Sequence, residues 1–100
     1  MNWKDRLTKP RIPTEFVAGR YYRLRDDYDL PEEECDWIFE GRKMFWTEDK
    51  LNGFKDNRIR KCVDVHTEED YTDGCFDVEF EGVPCGHWVY FPADFVEVSQ

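Results

Sequence analysis

Phe76, Val78 and Phe80 alternate with Asp77, Glu79 and Glu81 directly behind the turn residues Thr72-Asp73-Gly74. A period of two puts the apolar set on one face and the carboxylates on the other, which specifies a strand with one wet face. A strand of this kind needs partners, and the chain supplies them at close spacing. Tyr22 and Leu24 share a face opposite Tyr21, Arg23 and Arg25, behind the turn glycine Gly19. Ile59, Val63 and Val65 fall in phase with Lys61, Trp88 to Phe91 forms a further strand, and Phe95 to Val98 follows the tight turn Pro92-Ala93-Asp94. About five short strands separated by turn residues predict a mainly β chain closed into a small barrel.

Two helices are expected after the first strand. Leu30-Pro31-Glu32-Glu33-Glu34 has Pro in the first turn and acids that complement the helix dipole. It predicts a helix running to Gly41, with Cys35, Ile38 and Phe39 on its buried stripe. Thr47 is an N-cap for a shorter helix ending at Gly53. The expected core is Tyr22, Leu24, Ile38, Val63, Val65, Phe76, Val78, Phe80, Phe91 and Phe95. One hundred residues leave no room for a second core, and the 17% aromatic content can support a folded one, which argues against global disorder.

Charge is distributed unevenly. Residues 1–25 carry seven basic and two acidic side chains, whereas residues 26–100 carry seven and 21. A basic arm therefore precedes an acidic body, and from Cys62 onward there is no Lys or Arg. The net charge of −9 argues against direct binding to nucleic acid or anionic membranes. No apolar run approaches the roughly 20 residues of a membrane span. The start Met1-Asn2-Trp3-Lys4-Asp5-Arg6 lacks an apolar signal core, so a cytoplasmic setting with Cys35, Cys62, Cys75 and Cys85 reduced is expected.

No cofactor is expected. Cys62 and His66 lie four apart, about 13 Å along an extended strand, too far to share one ion. Only Cys85 and His87, from a turn, are placed to begin a metal site, and the expectation is that they hold none. Phosphate loops, Gly-x-Ser-x-Gly and His-Glu-x-x-His are all missing, so the chain reads as non-catalytic.

The run Gly86-His87-Trp88-Val89-Tyr90-Phe91-Pro92-Ala93-Asp94-Phe95-Val96-Glu97 resembles the closing stretch of SH3 domains. There an apolar strand passes through a one-turn 3₁₀ helix into a last strand, and the segment 70–87 fits the middle hairpin. The resemblance covers about the last third of the chain. It implies an SH3-like five-stranded barrel over residues 15–100, behind an irregular basic N-terminal arm at 1–14, with one or two short helices inserted after the first strand. Pro92 and Phe95 match the closing pair of a polyproline groove, but Phe95 lacks the hydroxyl. The groove's Trp position falls near Phe76 or Asp77, and Tyr21-Tyr22-Arg23-Leu24 does not reproduce the early tyrosine motif. Polyproline recognition is therefore not implied. The chain is also similar to small SH3-like proteins encoded by bacteriophages.

These readings converge on a non-catalytic protein-binding module, in the cytoplasm of a phage's or mobile element's host, that modulates a host protein. The expected aromatic anchors are Tyr21, Trp37, Trp46 and Tyr90, and the expected acidic surface is Asp26, Asp27, Asp29, Glu32, Glu33, Glu34 and Asp36. The partner would be a protein, basic or nucleic-acid-handling, and the chain a monomer or small homo-oligomer. Two alternatives stand beside this reading. One is an acidic nucleic-acid mimic that inhibits a DNA- or RNA-handling enzyme. The other is a structural zinc-binding accessory domain.

Overall fold

A computed structural model describes residues 11–56, 58–66, 74–84 and 86–98. The chain is mainly β. Strands β1 (Tyr21–Leu24), β2 (Cys35–Phe39) and β3 (Arg42–Trp46) precede helix α1 (Glu48–Phe54). Strands β4 (Arg60–His66), β5 (Phe76–Phe80) and β6 (His87–Tyr90) follow, and a 3₁₀ turn at Pro92–Asp94 leads into β7 (Phe95–Val98). Five strands form one antiparallel sheet in the order β6-β5-β4-β1-β7, and β2 and β3 form a separate hairpin. The ladders of the described residues form an open sheet and do not close a barrel.

The alternating segments behave as their period requires. Tyr22, Leu24, Val78 and Phe80 are buried, Phe76 packs against them, and Asp77 and Glu79 take the opposite face. Phe91 and Phe95 are also in the core. Around them the aromatic load is spent on edge-on ring packing, with Phe54 meeting Phe80, Tyr90 and Phe95 at centroid separations of 5.5–5.7 Å. Phe16 inserts beside them, with its ring 5.1 Å from Tyr22 and 5.3 Å from Phe95. The described end of the basic arm lies against β7, where the Glu97 amide donates to the Arg11 carbonyl and Arg20 pairs with the Glu97 carboxylate.

Two expectations fail, for identifiable reasons. The helix over 30–41 is a β-hairpin. Glu40 and Gly41 both have positive φ, 50° and 81°, the signature of a two-residue type I′ turn whose twist matches its flanking strands. Strand alternation then turns Cys35, Trp37 and Phe39 inward and Ile38 outward, so Ile38 is 66% exposed instead of core. The acids that suggested a helix N-terminus precede β2 in a bend. The second failure lies in β4. Cys62 opposes Phe80 while Asp64 opposes Glu79, so Val63 is the extra residue of a β-bulge. Cys62 is fully buried, Val63 is 45% exposed, and only beyond the bulge does Val65 return to the core side. A bulge cannot be read from alternation, and it inverted the expected phase at Val63.

The Thr47-capped helix is present, with the Thr47 hydroxyl accepting from the Lys50 amide at 3.3 Å. It continues through Gly53, which is buried against Val83. Arg42 on β3 donates to the buried Asp94 carboxylate at 2.7 Å and so ties the hairpin to the 3₁₀ turn. Burial raises the Asp94 carboxyl above its ordinary range, and the Arg42 guanidinium opposes that shift.

Candidate functional site

At the open end of the β2–β3 hairpin the bend at 31–34 faces the first turns of α1. The two enclose an open cleft of about 820 Å³ lined by Leu30, Pro31, Leu51, Asn52 and Lys55 together with Glu32, Glu33, Glu34 and Glu48. The Glu48 amide donates to Glu34 Oε1 at 3.0 Å, so Glu34 caps the helix and fixes the bend against it. Glu32 and Glu33 stay exposed on the lip. Four carboxylates and one lysine thus line the cleft together with the apolar Leu30, Pro31 and Leu51.

The hairpin between these two segments carries its own exposed face. Its outward residues are Asp36, Ile38, Lys43 and Phe45, and Phe45 is 48% exposed. Asp36 opposes Phe45 and Ile38 opposes Lys43, which sets the two apolar side chains diagonally across one ladder.

The expected anchors separate. Tyr21 and Trp37 are half-buried, and Trp37 packs against the core. Trp46 and Tyr90 are fully buried, which corrects their assignment to a binding surface. The Trp46 indole donates to the Tyr28 hydroxyl at 2.8 Å, and Tyr90 is packed among Phe16, Phe54, Phe80 and Phe95. On the hairpin the apolar groups that reach the surface are Ile38, which the helical period over 30–41 places in the core, and Phe45, which lies between the two expected helices.

The acidic tract is exposed throughout but partly neutralised. Asp26 pairs with Arg23, Asp27 with Arg25, and Asp36 with Lys43. Arg25 also grips Glu40, lies 5.1 Å over the Phe39 ring, and donates to the Ala93 carbonyl. Asp29 is exposed in the loop before Leu30.

A second cluster occupies the outer face of the main sheet. The register aligns Asp64 of β4, Glu79 of β5 and His87 of β6 in one row. His66, two residues beyond Asp64, lies on the same side. Nε2 of His66 and Nε2 of His87 lie 3.4 Å and 3.3 Å from Asp64 Oδ2, and Glu79 Oε1 is 3.8 Å from His87 Nε2. The hydrogen bond with His87 holds the Asp64 carboxyl below the usual carboxylate range, and His66 adds to the effect. Cys62 faces the core, so the pair Cys62 and His66 shares no ion here. Cys85 lies outside the described residues. His66 was missed as a site residue because the bulge, not the spacing, brings its strand face around.

Among the described residues no helix is long and apolar enough to cross a membrane. No protein-family model matches the chain, and comparison with curated proteins and with solved structures yields no match.

Proposed function

We propose that the protein is a non-catalytic module that binds a basic segment of another protein in the cleft between residues 30–34 and α1, with Ile38 and Phe45 as the adjoining apolar contact. The observation that carries this reading is the gathering of Glu32, Glu33, Glu34 and Glu48 around a Leu30–Leu51 floor at the open end of a hairpin that exposes two large apolar side chains. Buried apolar contact supplies affinity, while carboxylates steer a basic partner and fix its register. A cytoplasmic setting, and an origin in a phage or other mobile element, belong to the same proposal.

An SH3-like barrel is the architecture proposed for this module. The 3₁₀ turn at Pro92–Asp94, the β5–β6 hairpin and the return of β7 beside β1 support it. The nucleic-acid mimic is less well supported, because Arg23, Arg25 and Lys43 neutralise carboxylates that a mimic would present.

Titration of the isotope-labelled protein with a Lys/Arg-rich peptide tests the reading. Amide shifts should concentrate at residues 30–38 and 45–55 and weaken with salt. Reversing Glu32 and Glu33 to Lys should abolish them without unfolding the domain, whereas Glu34 must be kept because it caps α1. Shifts spread evenly over the acidic surface, or indifferent to that double reversal, would sink the proposal.

A further inference from the structure

The chain contains two histidines, and the fold brings both onto one carboxylate oxygen from strands that are not neighbours. Their rings are 3.8 Å apart between centroids, and the ligand atoms of Asp64, His66 and His87 all lie within 4.8 Å of one another. Three features make this arrangement more than a solvated face. The bulge at Val63 turns Asp64 outward, out of phase with Cys62, and the register then stacks Asp64, Glu79 and His87 across three strands. The contacts from Asp64 to the two imidazoles are 3.3 and 3.4 Å, close to the edge of about 3.4 Å that a tetrahedron of ligands 2.0–2.1 Å from a zinc ion requires. All three side chains are also accessible to an ion from solvent.

We propose that Asp64, His66 and His87 form a zinc-binding site on the outer face of the β4-β5-β6 sheet. Two imidazole nitrogens and one carboxylate oxygen suit a borderline divalent ion such as zinc and do not suit magnesium or calcium, which take oxygen ligands. Each imidazole binds through Nε2 as a free base, so any proton shared with Asp64 Oδ2 leaves when the metal enters. The rings must splay from their present tilted contact to surround the ion, and their position at the surface allows it. Glu79 Oε1, 3.8 Å from His87 Nε2 but outside the three-residue set, would accept a hydrogen bond from a metal-bound water. The ion would cross-link β4 to β6 over β5, stabilising the sheet edge without being needed for the aromatic core on the other face.

The test uses untagged full-length protein, reduced and stripped of metal. One equivalent of cobalt(II), as a spectroscopic stand-in, should give tetrahedral ligand-field bands that zinc abolishes. Zinc should move the ring-nitrogen resonances of His66 and His87 and raise the thermal midpoint, and chelator should return that midpoint to its metal-free value with the fold intact. His66→Ala and His87→Ala should each weaken zinc binding by at least about a hundredfold, and Glu79→Gln by about tenfold. Unfolding midpoints of the variants in chelator should match the wild type, which separates a lost ligand from a lost fold. A thiolate-to-cobalt charge-transfer band, binding that survives loss of either histidine, or no binding to the wild type would each overturn the site.

Discussion

The Nζ of Lys50 lies 5.1 Å from the ring centroid of Tyr90, and both residues are buried. The ammonium also sits 5.2 Å from Trp46 and 6.0 Å from Trp88, and it donates to the carbonyls of Phe45 and Val89. One helix side chain thus joins β3 to β6 through a cation in an aromatic cage. Burial alone pushes this amine down to about 8, while the carbonyls and ring faces favour its charged form and limit the fall.

Lys50 therefore predicts a pH dependence with a definite sign. Its folded value lies below its unfolded value, so between the two the unfolded chain binds the extra proton and stability rises with pH. Below about pH 8 both states are protonated and the cost of burying the charge is present in full. Lys50→Met removes this titration and leaves two carbonyls without their donor, which should cost about 1–3 kcal/mol at neutral pH. The stability difference favouring wild type should then widen by about 2 kcal/mol between pH 7 and pH 10. Urea unfolding of both proteins across that range measures it, and a flat difference would show that the cage holds the proton as tightly as water does.

Gly53 is a helix residue whose replacement should run against helix propensity. A Cβ built there would meet Val83 Cγ2 at 2.7 Å, and Val83 is buried. Gly53→Ala gains about 1 kcal/mol of helix propensity but forces a packed side chain to move, at a cost of about 1–3 kcal/mol. The expected net effect is destabilisation. In a Val83→Ala background the 2.7 Å clash with Cγ2 is gone and only Val83 Cβ stays close, at 3.2 Å, so the same change should cost less than it does beside valine. Additive effects of the two substitutions in a double-mutant cycle would refute the proposed contact.

Cysteine reactivity should follow burial. The Cys62 thiol is fully buried and is pushed up to about 11, mainly by desolvation, whereas Cys35 is half-buried at the start of β2. Alkylation of the native protein near neutral pH should modify Cys35 well before Cys62, because the thiolate is the reacting form. Peptide mass spectrometry after short exposure reads the order. Equal rates would mean that β4 opens locally.

What could be read from the chain was whatever depended on local period and capping. The Phe76–Phe80 alternation, the Thr47 cap and the Pro92 turn each arise from contacts within a few residues, and all three are present. The Cys35–Phe39 segment was misread because apolar residues at Cys35, Ile38 and Phe39 satisfy a helical stripe as well as part of a strand. The Glu40-Gly41 turn decides between them, and Glu40 is not a residue that advertises a positive φ. The acidic residues of the cleft were visible as a run, but the apolar floor from Leu30 and Leu51 needed the fold. The histidine cluster was invisible because it depends on one bulge and two strand registers, and neither leaves a mark in composition.

Tyr90 offers the last prediction. Its hydroxyl is buried with no hydrogen-bond partner among the described residues, and burial raises its ionisation well above the ordinary tyrosine range. A desolvated hydroxyl without a partner is a cost, while the ring beneath it packs with Phe80 at 5.1 Å and faces Lys50. Tyr90→Phe keeps the ring, the edge-on packing and the cation contact, and removes only the hydroxyl. It should leave stability unchanged or raise it by about 1 kcal/mol. The opposite result, a loss of about 1 kcal/mol or more in denaturant unfolding, would mean that the hydroxyl is hydrogen-bonded in solution. Because phenylalanine presents the same quadrupole to the ammonium, the pH dependence assigned to Lys50 should persist in Tyr90→Phe, which separates the hydroxyl's contribution from that of the cage.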